Sequence, residues 1–501
     1  MEFTELAEYP LPAGQLTEWV PTVSSKTSWR VDHRPLAYTH EAHCRHSLAA
    51  AAAGSDSAAW IGAIFEIHER HDADAMRRAL CSWTSRHETF RTTVSTAGVG
   101  DPGSVRLVRS TAAKDAVDVV PQRRGRFETG ARVHRHVVDF FDRALSPFVW
   151  PHCVVATIDD ICVAEESADD RFLIAFGADH SVMDAYSMLL AVSELRRLYE
   201  YELHGRDPGL GPAGSHVDFS VIDRRTGDGL TADHEVVLSW SRFLNGEQFP
   251  DFPLPVAPSA ETTAATTGPC DPGSDRQSGL STVLLDAQDT AELAVRSRRQ
   301  GASMTAALVG AMALATKELT ESPRLRFVMP MHTRFEPRFA ESVGWYVGVV
   351  PMDVHLDHDS DYREATRRAG AALSSVEGYA RQPYSRVAEL LRIESVPSFV
   401  VSYLDLRHTP DSESWPLWNT RTLRSSTVSR NEVYFWILRT PLGLGISARF
   451  PANAVAATSV HTFVSRCRDI LHTAATGPDT RDPAVPGSAR SVSDSLRVVT
   501  A

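Results

Sequence analysis

Long apolar runs are missing from this sequence. No stretch approaches the ~20 consecutive apolar residues that a membrane helix requires. The first residues, "MEFTELAEYPLPAGQ", are acidic where a secretory leader would be basic and then apolar, so the cytoplasm is the expected location. Cysteine is also scarce. Cys44, Cys81, Cys153, Cys162, Cys270 and Cys467 are scattered over 501 positions. They form no Cys-x-x-Cys pair and no cysteine–histidine cluster at zinc spacing, so neither a disulfide framework nor a metal site is expected. A basic surplus is lacking too: 51 Lys and Arg stand against 63 Asp and Glu, a formal net charge of -12. Phosphate binding needs a clustered basic surface, which argues against nucleic acid as the main partner. "FVSRCRDI" and "RLRFVMP" could still contribute to a local basic patch for an acidic partner.

Other signals are set aside on context. No Gly-x-Ser-x-Gly elbow is present, which argues against a serine esterase. "GLGPAG" at 209–214 has the glycine spacing of a dinucleotide loop, but it follows a helix and places a proline where the phosphate-binding helix should begin. "HCRH" at 43–46 and "HERH" at 68–71 have no companion ligands. They read as surface residues, on a helix and at a strand end. "SLAAAAAG" ends a helix at Gly54.

An apolar content of 43% with 23% charged residues is that of a globular protein, and the length exceeds one ordinary core. Gly- and Pro-rich "HGRDPGLGPAGSH" and the turn-former-rich stretch 255–280 suggest boundaries. The expected organisation is an N-terminal half, 1–215, and a C-terminal half, 216–475, carrying a flexible insert near 255–280. A disordered tail, 476–501, follows. "WIGAIFEI" reads as a strand, followed by Asp72 as N-cap of a helix with Met76, Leu80 and Trp83 at helical spacing. "RFLIAFGA" is a second strand, leading through a polar turn into the helix "AYSMLLAVSELRRLYEYEL". In the second half "SMTAALVGAMALATKEL" is a buried helix. "RLRFVMP", "WYVGVVPMDV", "SFVVSYLDL", "EVYFWILRT" and "LGLGISARF" are strands, and a helix closes near 453–473. Strand and helix do not alternate strictly, which favours an α/β sandwich (α+β in connectivity) over a doubly wound sheet.

The turn in "FGADHSVMDAYSM", residues 176–188, places His180 and Asp184 where a rigid strand meets a helix, a common position for reactive groups. Histidine is suited to accept a proton near neutral pH. Asp184, four residues on, could orient the ring, or pair with a cation and fix the loop. As a two-residue pattern alone it favours a solvated loop histidine and a helix-capping aspartate over catalysis.

"LCSWTSRHETFRTTV" upstream (80–94), the His-x-x-x-Asp turn, and Arg334 followed by Gly344-Trp345 downstream occur in the order seen in condensation domains of nonribosomal peptide synthetases. Over residues 30–475, and in "DFPLPVAP", "VGWYVGVVP" and "SFVVSYLDL", the chain most resembles actinobacterial polyketide-associated acyltransferases that esterify trehalose-type glycolipids. The resemblance implies two chloramphenicol-acetyltransferase-like halves in a V, with a tunnel between them. It implies acyl transfer to a hydroxyl of a sugar or natural-product intermediate, with His180 as general base. No cofactor is bound in this reading, and the acyl donor rides on phosphopantetheine or coenzyme A. The implied partners are an acyl carrier protein or a polyketide or nonribosomal synthase and a small-molecule acceptor, with the enzyme itself a monomer. Asp184 is then structural, paired with Arg334; read from the residues alone, Arg334 is equally a surface arginine beside a turn.

Two departures stand out. The usual motif is His-His-x-x-x-Asp-Gly; here Asp179 replaces the first histidine and Ala185 the glycine. Asp179 could raise the His180 pKa or bond substrate, and Ala185 could restrict backbone approach to an oxyanion. Trp345 and Tyr346 line the tunnel or belong to the core. Ser402 faces the tunnel or bonds to strand backbone. Two other functions stay open: a stand-alone condensation enzyme forming an amide, and an inactive scaffold that docks carrier proteins.

Overall fold

A strand apolar at successive positions must be covered on both faces, and the computed structural model shows what covers it. It describes residues 3–5, 11–54, 59–98, 105–161, 170–246, 248–257, 276–426 and 429–477. Among the described residues, the strands of the first half are β1 (Phe3–Glu5), β2 (Gly14–Val23), β3 (Trp29–Asp32), β4 (Trp60–Ile67), β5 (Thr92–Ala97), β6 (Arg106–Ala112), β7 (Val117–Phe127), β8 (Cys153–Asp159) and β9 (Phe172–Asp179). Those of the second are β10 (Gln277–Asp286), β11 (Arg324–His332), β12 (Val347–His355), β13 (Phe399–Asp405), β14 (Arg421–Arg424), β15 (Val433–Thr440) and β16 (Gly443–Pro451). The helices are α1 (Tyr38–Ala52), α2 (Ala73–Arg86), α3 (Gly130–Ala144), α4 (Ala185–His204), α5 (His216–Asp228), α6 (Glu235–Leu244), α7 (Ala287–Arg299), α8 (Met304–Thr320), α9 (Tyr362–Val376), α10 (Tyr384–Leu391) and α11 (Ala454–Thr476).

The first sheet runs β1-β14-β4-β9-β8-β2-β7, and a small sheet β3-β6-β5 accompanies it. On one face Ala63, Phe65, Phe176 and Ala178 pack against Met76, Leu80 and Trp83 of α2 and Met188, Leu189 and Val192 of α4. On the other, Trp60, Ile64, Leu173 and Ala175 pack against Val133, Val137 and Phe141 of α3. Asp72 caps α2, its carboxylate accepting the Ala75 N–H at 2.7 Å.

The second sheet runs β10-β16-β15-β13-β11-β12, with β13 parallel to both neighbours. One face, carrying Phe327, Met352, Phe399, Phe435 and Ile437, is covered by α7, α8, α9 and α11. Residues of the opposite face meet two partners. Val328 and Val400 pack with Trp240 and Phe243 of α6 and Val387 of α10, while Leu404 and Leu438 enter the core of the first half.

The mixed α/β sandwich in two acetyltransferase-like halves follows the sequence reading, but the chain does not part cleanly at residue 215. Strand β14, from the second half, lies between β1 and β4 in the first sheet; Thr422 pairs with Ala63 and Leu423 with Gly62. Gln277–Leu280, placed at the edge of the insert, belongs to β10; residues 258–275 lie outside the described residues. The last helix runs to Thr476, and residues 478–501 also lie outside. The strand expected from Trp345 begins at Val347, because Trp345 and Tyr346 are drawn into the seam between the halves.

Candidate active site

Strand β9 is paired on both sides, to β4 and β8, which fixes the direction of its last residues. The turn beyond it is held by backbone hydrogen bonds: Asp179 N–H to His152 C=O at 2.8 Å, His180 N–H to Ala59 C=O at 3.0 Å, and Val182 N–H to Asp179 C=O at 3.0 Å. His180 is thereby presented at the seam, half-buried. The Trp345 ring from the second half lies over it, with centroids 4.2 Å apart and planes tilted by 34°. Nδ1 is sealed from solvent and has no hydrogen-bond partner among the described residues. Burial, and then the charge of His43, push the His180 pKa down, against a smaller opposing pull from Asp179 and Asp184. The imidazole is therefore neutral at physiological pH.

Asp184 turns away from His180. As N-cap of α4 it accepts the Ser187 N–H at 2.7 Å. It also accepts the Tyr346 N–H at 2.9 Å and the Arg334 guanidinium through both nitrogens, at 2.8 and 3.0 Å. Burial alone would raise its pKa; Arg334 and the two backbone N–H groups outweigh that and keep it ionised. Ser187 completes the lock. Its hydroxyl donates to Gly344 C=O and accepts from Arg334 and from the Gly344 N–H. Gly344 is required here, since a Cβ would lie 2.5 Å from the His216 ring.

The Arg86-His87 pair braces this crossing from behind. His87 and Arg86 hold the buried Glu194 carboxylate at 2.6 and 2.9 Å, and His87 Nδ1 accepts the Val343 N–H at 3.4 Å.

The remaining candidates separate. Trp345 faces His180, while Tyr346 is fully buried in a cluster with Phe219 and Phe339 and belongs to the core. Ser402 is buried on β13 beside Trp436. Its strand neighbours Val400 and Leu404 pack in clusters away from the second half's main core. Ala185 is the first residue of α4. Asp179 is buried and already engaged: its Oδ1 accepts the Ser181 N–H at 2.9 Å and lies 3.2 Å from His43 Nε2. Burial would raise its pKa, but these contacts carry it well below the usual carboxylate range.

The reading of the histidine pairs needs correction. His43 is not a surface residue: its side chain is 13% exposed, and it meets Asp179 across 136 positions of sequence. In "HERH", His68 is exposed, but His71 lies between Trp19 and Phe172, 2.6 Å from Asp159. No local pattern marks His43, because its partners come from other elements.

Two sheet-and-helix halves meeting over a histidine at a strand-to-helix turn, with the turn locked across the seam by a buried ion pair, define the acetyltransferase-like two-half class. The condensation-domain family matches residues 51–485. Acyltransferase PapA3 of Mycobacterium tuberculosis is 25% identical over 486 residues, covering 92% of this chain and 96% of that protein. The trehalose-2-sulfate acyltransferase PapA2 of Mycobacterium bovis is 25% identical over 488 residues, covering 95% and 97%. Among solved structures, a PapA2 acyl transferase superposes with a TM-score of 0.81 at 23% identity, over 95% of this chain and all of that one. The X-domain from teicoplanin biosynthesis follows at 0.64 and 17%, over 90% and 96%. The chain belongs to the condensation-domain family, and it is an acyltransferase. Among the described residues no helix is long and apolar enough to cross a membrane.

Proposed function

We propose that the enzyme transfers an acyl group from a thioester, on coenzyme A or a carrier-bound phosphopantetheine, to a hydroxyl of a sugar or related natural-product intermediate, with His180 as general base. The observation that carries this reading is an imidazole at the seam of the two halves, fixed by strand pairing and pushed toward its neutral form by burial, whose Nδ1 has no hydrogen-bond partner among the described residues. With Nδ1 sealed from solvent, this reading makes Nε2 the base. Nε2 takes the hydroxyl proton as the oxygen attacks the thioester carbonyl. The tetrahedral intermediate collapses, the C–S bond breaks, and the imidazolium returns the proton to the departing thiolate. No covalent enzyme intermediate forms, and holding two substrates together supplies much of the acceleration. The hydroxyl acceptor is supported by the relatives whose names specify trehalose esters.

The test offers purified enzyme a panel of acyl-coenzyme A and acyl-carrier thioesters with trehalose-like sugars and amines, and follows products by mass spectrometry. Ester formation that falls by about 10²- to 10⁴-fold in a folded His180→Ala variant supports the reading. Amide products would move the acceptor from hydroxyl to amine. Binding of acyl-carrier protein without transfer would identify a docking scaffold instead.

A further inference from the structure

Helix α1 ends up in the site because its start is tied to α5. The Tyr38 N–H donates to Asp223 at 2.7 Å, and the Tyr38 hydroxyl to Asp228 at 2.7 Å. Arg224 clamps the Leu36 carbonyl and the Glu41 carboxylate. This anchorage aims His43 at the end of β9. There the Asp179 carboxylate, buried and ionised, sits 3.2 Å from its Nε2. The His43 ring meets Trp345 edge-on, with centroids 5.6 Å apart at 78°, and Trp345 lies on His180. His216 holds Trp345 from the backbone side, its Nε2 3.1 Å from the Trp345 carbonyl.

We propose that His43 is a positioning residue of the acyl-transfer site: anchored by Asp179, its ring braces Trp345 against His180. This rests on the reading of His180 as that base. Three residues from α1, the β9 turn and the inter-half crossing thus form one chain of contacts ending on the base. At its carboxylate end, Asp179 Oδ1 is taken by His43 and the Ser181 N–H, which makes Asp179 the scaffold for His43.

The titratable groups around His43 are neutral or already paired. His40 on α1 is held neutral by burial, with Arg109 of β6 adding to the effect; His216 of α5, pushed down to about 4, is neutral for the same two reasons. His152, ahead of β8, is lowered by burial and placed between Ser146 C=O and the Thr93 hydroxyl. Asp184 is taken by Arg334. His43 stands between these settled groups, against Asp179 on one side and Trp345 on the other.

The experiment measures the His180 titration directly by NMR of histidine-labelled enzyme, its resonance assigned with His180→Ala. Wild type is compared with His43→Gln and His43→Ala. Replacing the His43 side chain, which acts to lower the His180 pKa, should raise the His180 midpoint by about 0.5 to 1 pH unit in both variants. The acid limb of kcat/KM, read with palmitoyl-coenzyme A and trehalose, should move to higher pH by the same amount. His43→Gln, which keeps a side chain able to hydrogen-bond Asp179, should stay within about threefold of wild type on the plateau. His43→Ala, which also releases Trp345, should fall roughly tenfold. An unmoved His180 titration in two folded variants overturns the proposal and leaves His43 as packing alone. If His180→Ala retains full transfer, the base reading fails, while the titration still decides whether His43 acts on His180.

Discussion

At the scale of single residues, the Asp184–Arg334 pair shows how charge is used to fix shape. Both side chains are almost fully buried, and every oxygen of Asp184 is bonded, so the pair locks the turn that presents His180. Asp184→Asn keeps the shape and removes the charge, leaving the guanidinium uncompensated. Such a loss costs about 3–5 kcal/mol, which chemical denaturation should register. The double replacement Asp184→Asn with Arg334→Met should recover part of that stability but not the transfer activity, since the turn loses its anchor. His180, Asp184 and Arg334 were legible in the sequence because two of them share one short motif and the third follows a shared landmark. His43 was not. Its role depends on a carboxylate supplied by another element, and "HCRH" alone carries no trace of it.

Elements were legible where one segment decides its own conformation. β4, β9, α2, α4, α8 and the second-sheet strands β11, β12, β13, β15 and β16 follow from apolar runs, caps and periodicity to within a residue or two; β10, its start assigned to the insert, does not. β7, "VDVVPQRRGRF", was missed because it is an edge strand whose arginines face solvent. β14 is only four residues, "RTLR", and exists because β4 offers an unpaired edge. The crossing at Gly344 belongs to the same scale, being made by four elements at once. Gly344→Ala must displace the His216 ring or the Ser187 hydrogen bonds, and it should lower both the melting temperature and kcat. Gly378→Ala, with nothing within 4 Å of the added carbon, is the matched control and should leave both unchanged.

Across the whole molecule, burial has collected titratable groups whose preferences run in one direction. His40, His152, His180, His216 and His332 are all pushed below the ordinary histidine value, His216 and His332 to about 4. The unfolded chain therefore binds protons that the folded one refuses, and stability rises with pH across that interval. Asp223, raised to about 6 by burial, works the other way, but one carboxyl stands against five imidazoles. Below these histidines, the depressed carboxyls of Asp179, Asp184 and Glu194 take over with the same sign. The unfolding free energy should be full above about pH 6.5 and decline steadily toward pH 4. A flat profile over that range would show that these histidines are not neutral when folded.

The insertion of β14 between β1 and β4 also imposes an order on biosynthesis. Among the described residues, residues 3–5 find their parallel partner in residues 422–424, so β1 waits until that distant segment has left the ribosome. Until then the outer edge of β4 stands bare. A nascent N-terminal segment stalled before residue 421 thus exposes an unpaired strand edge, and a separately expressed segment carrying residues 421–424 would have to find it to close the sheet.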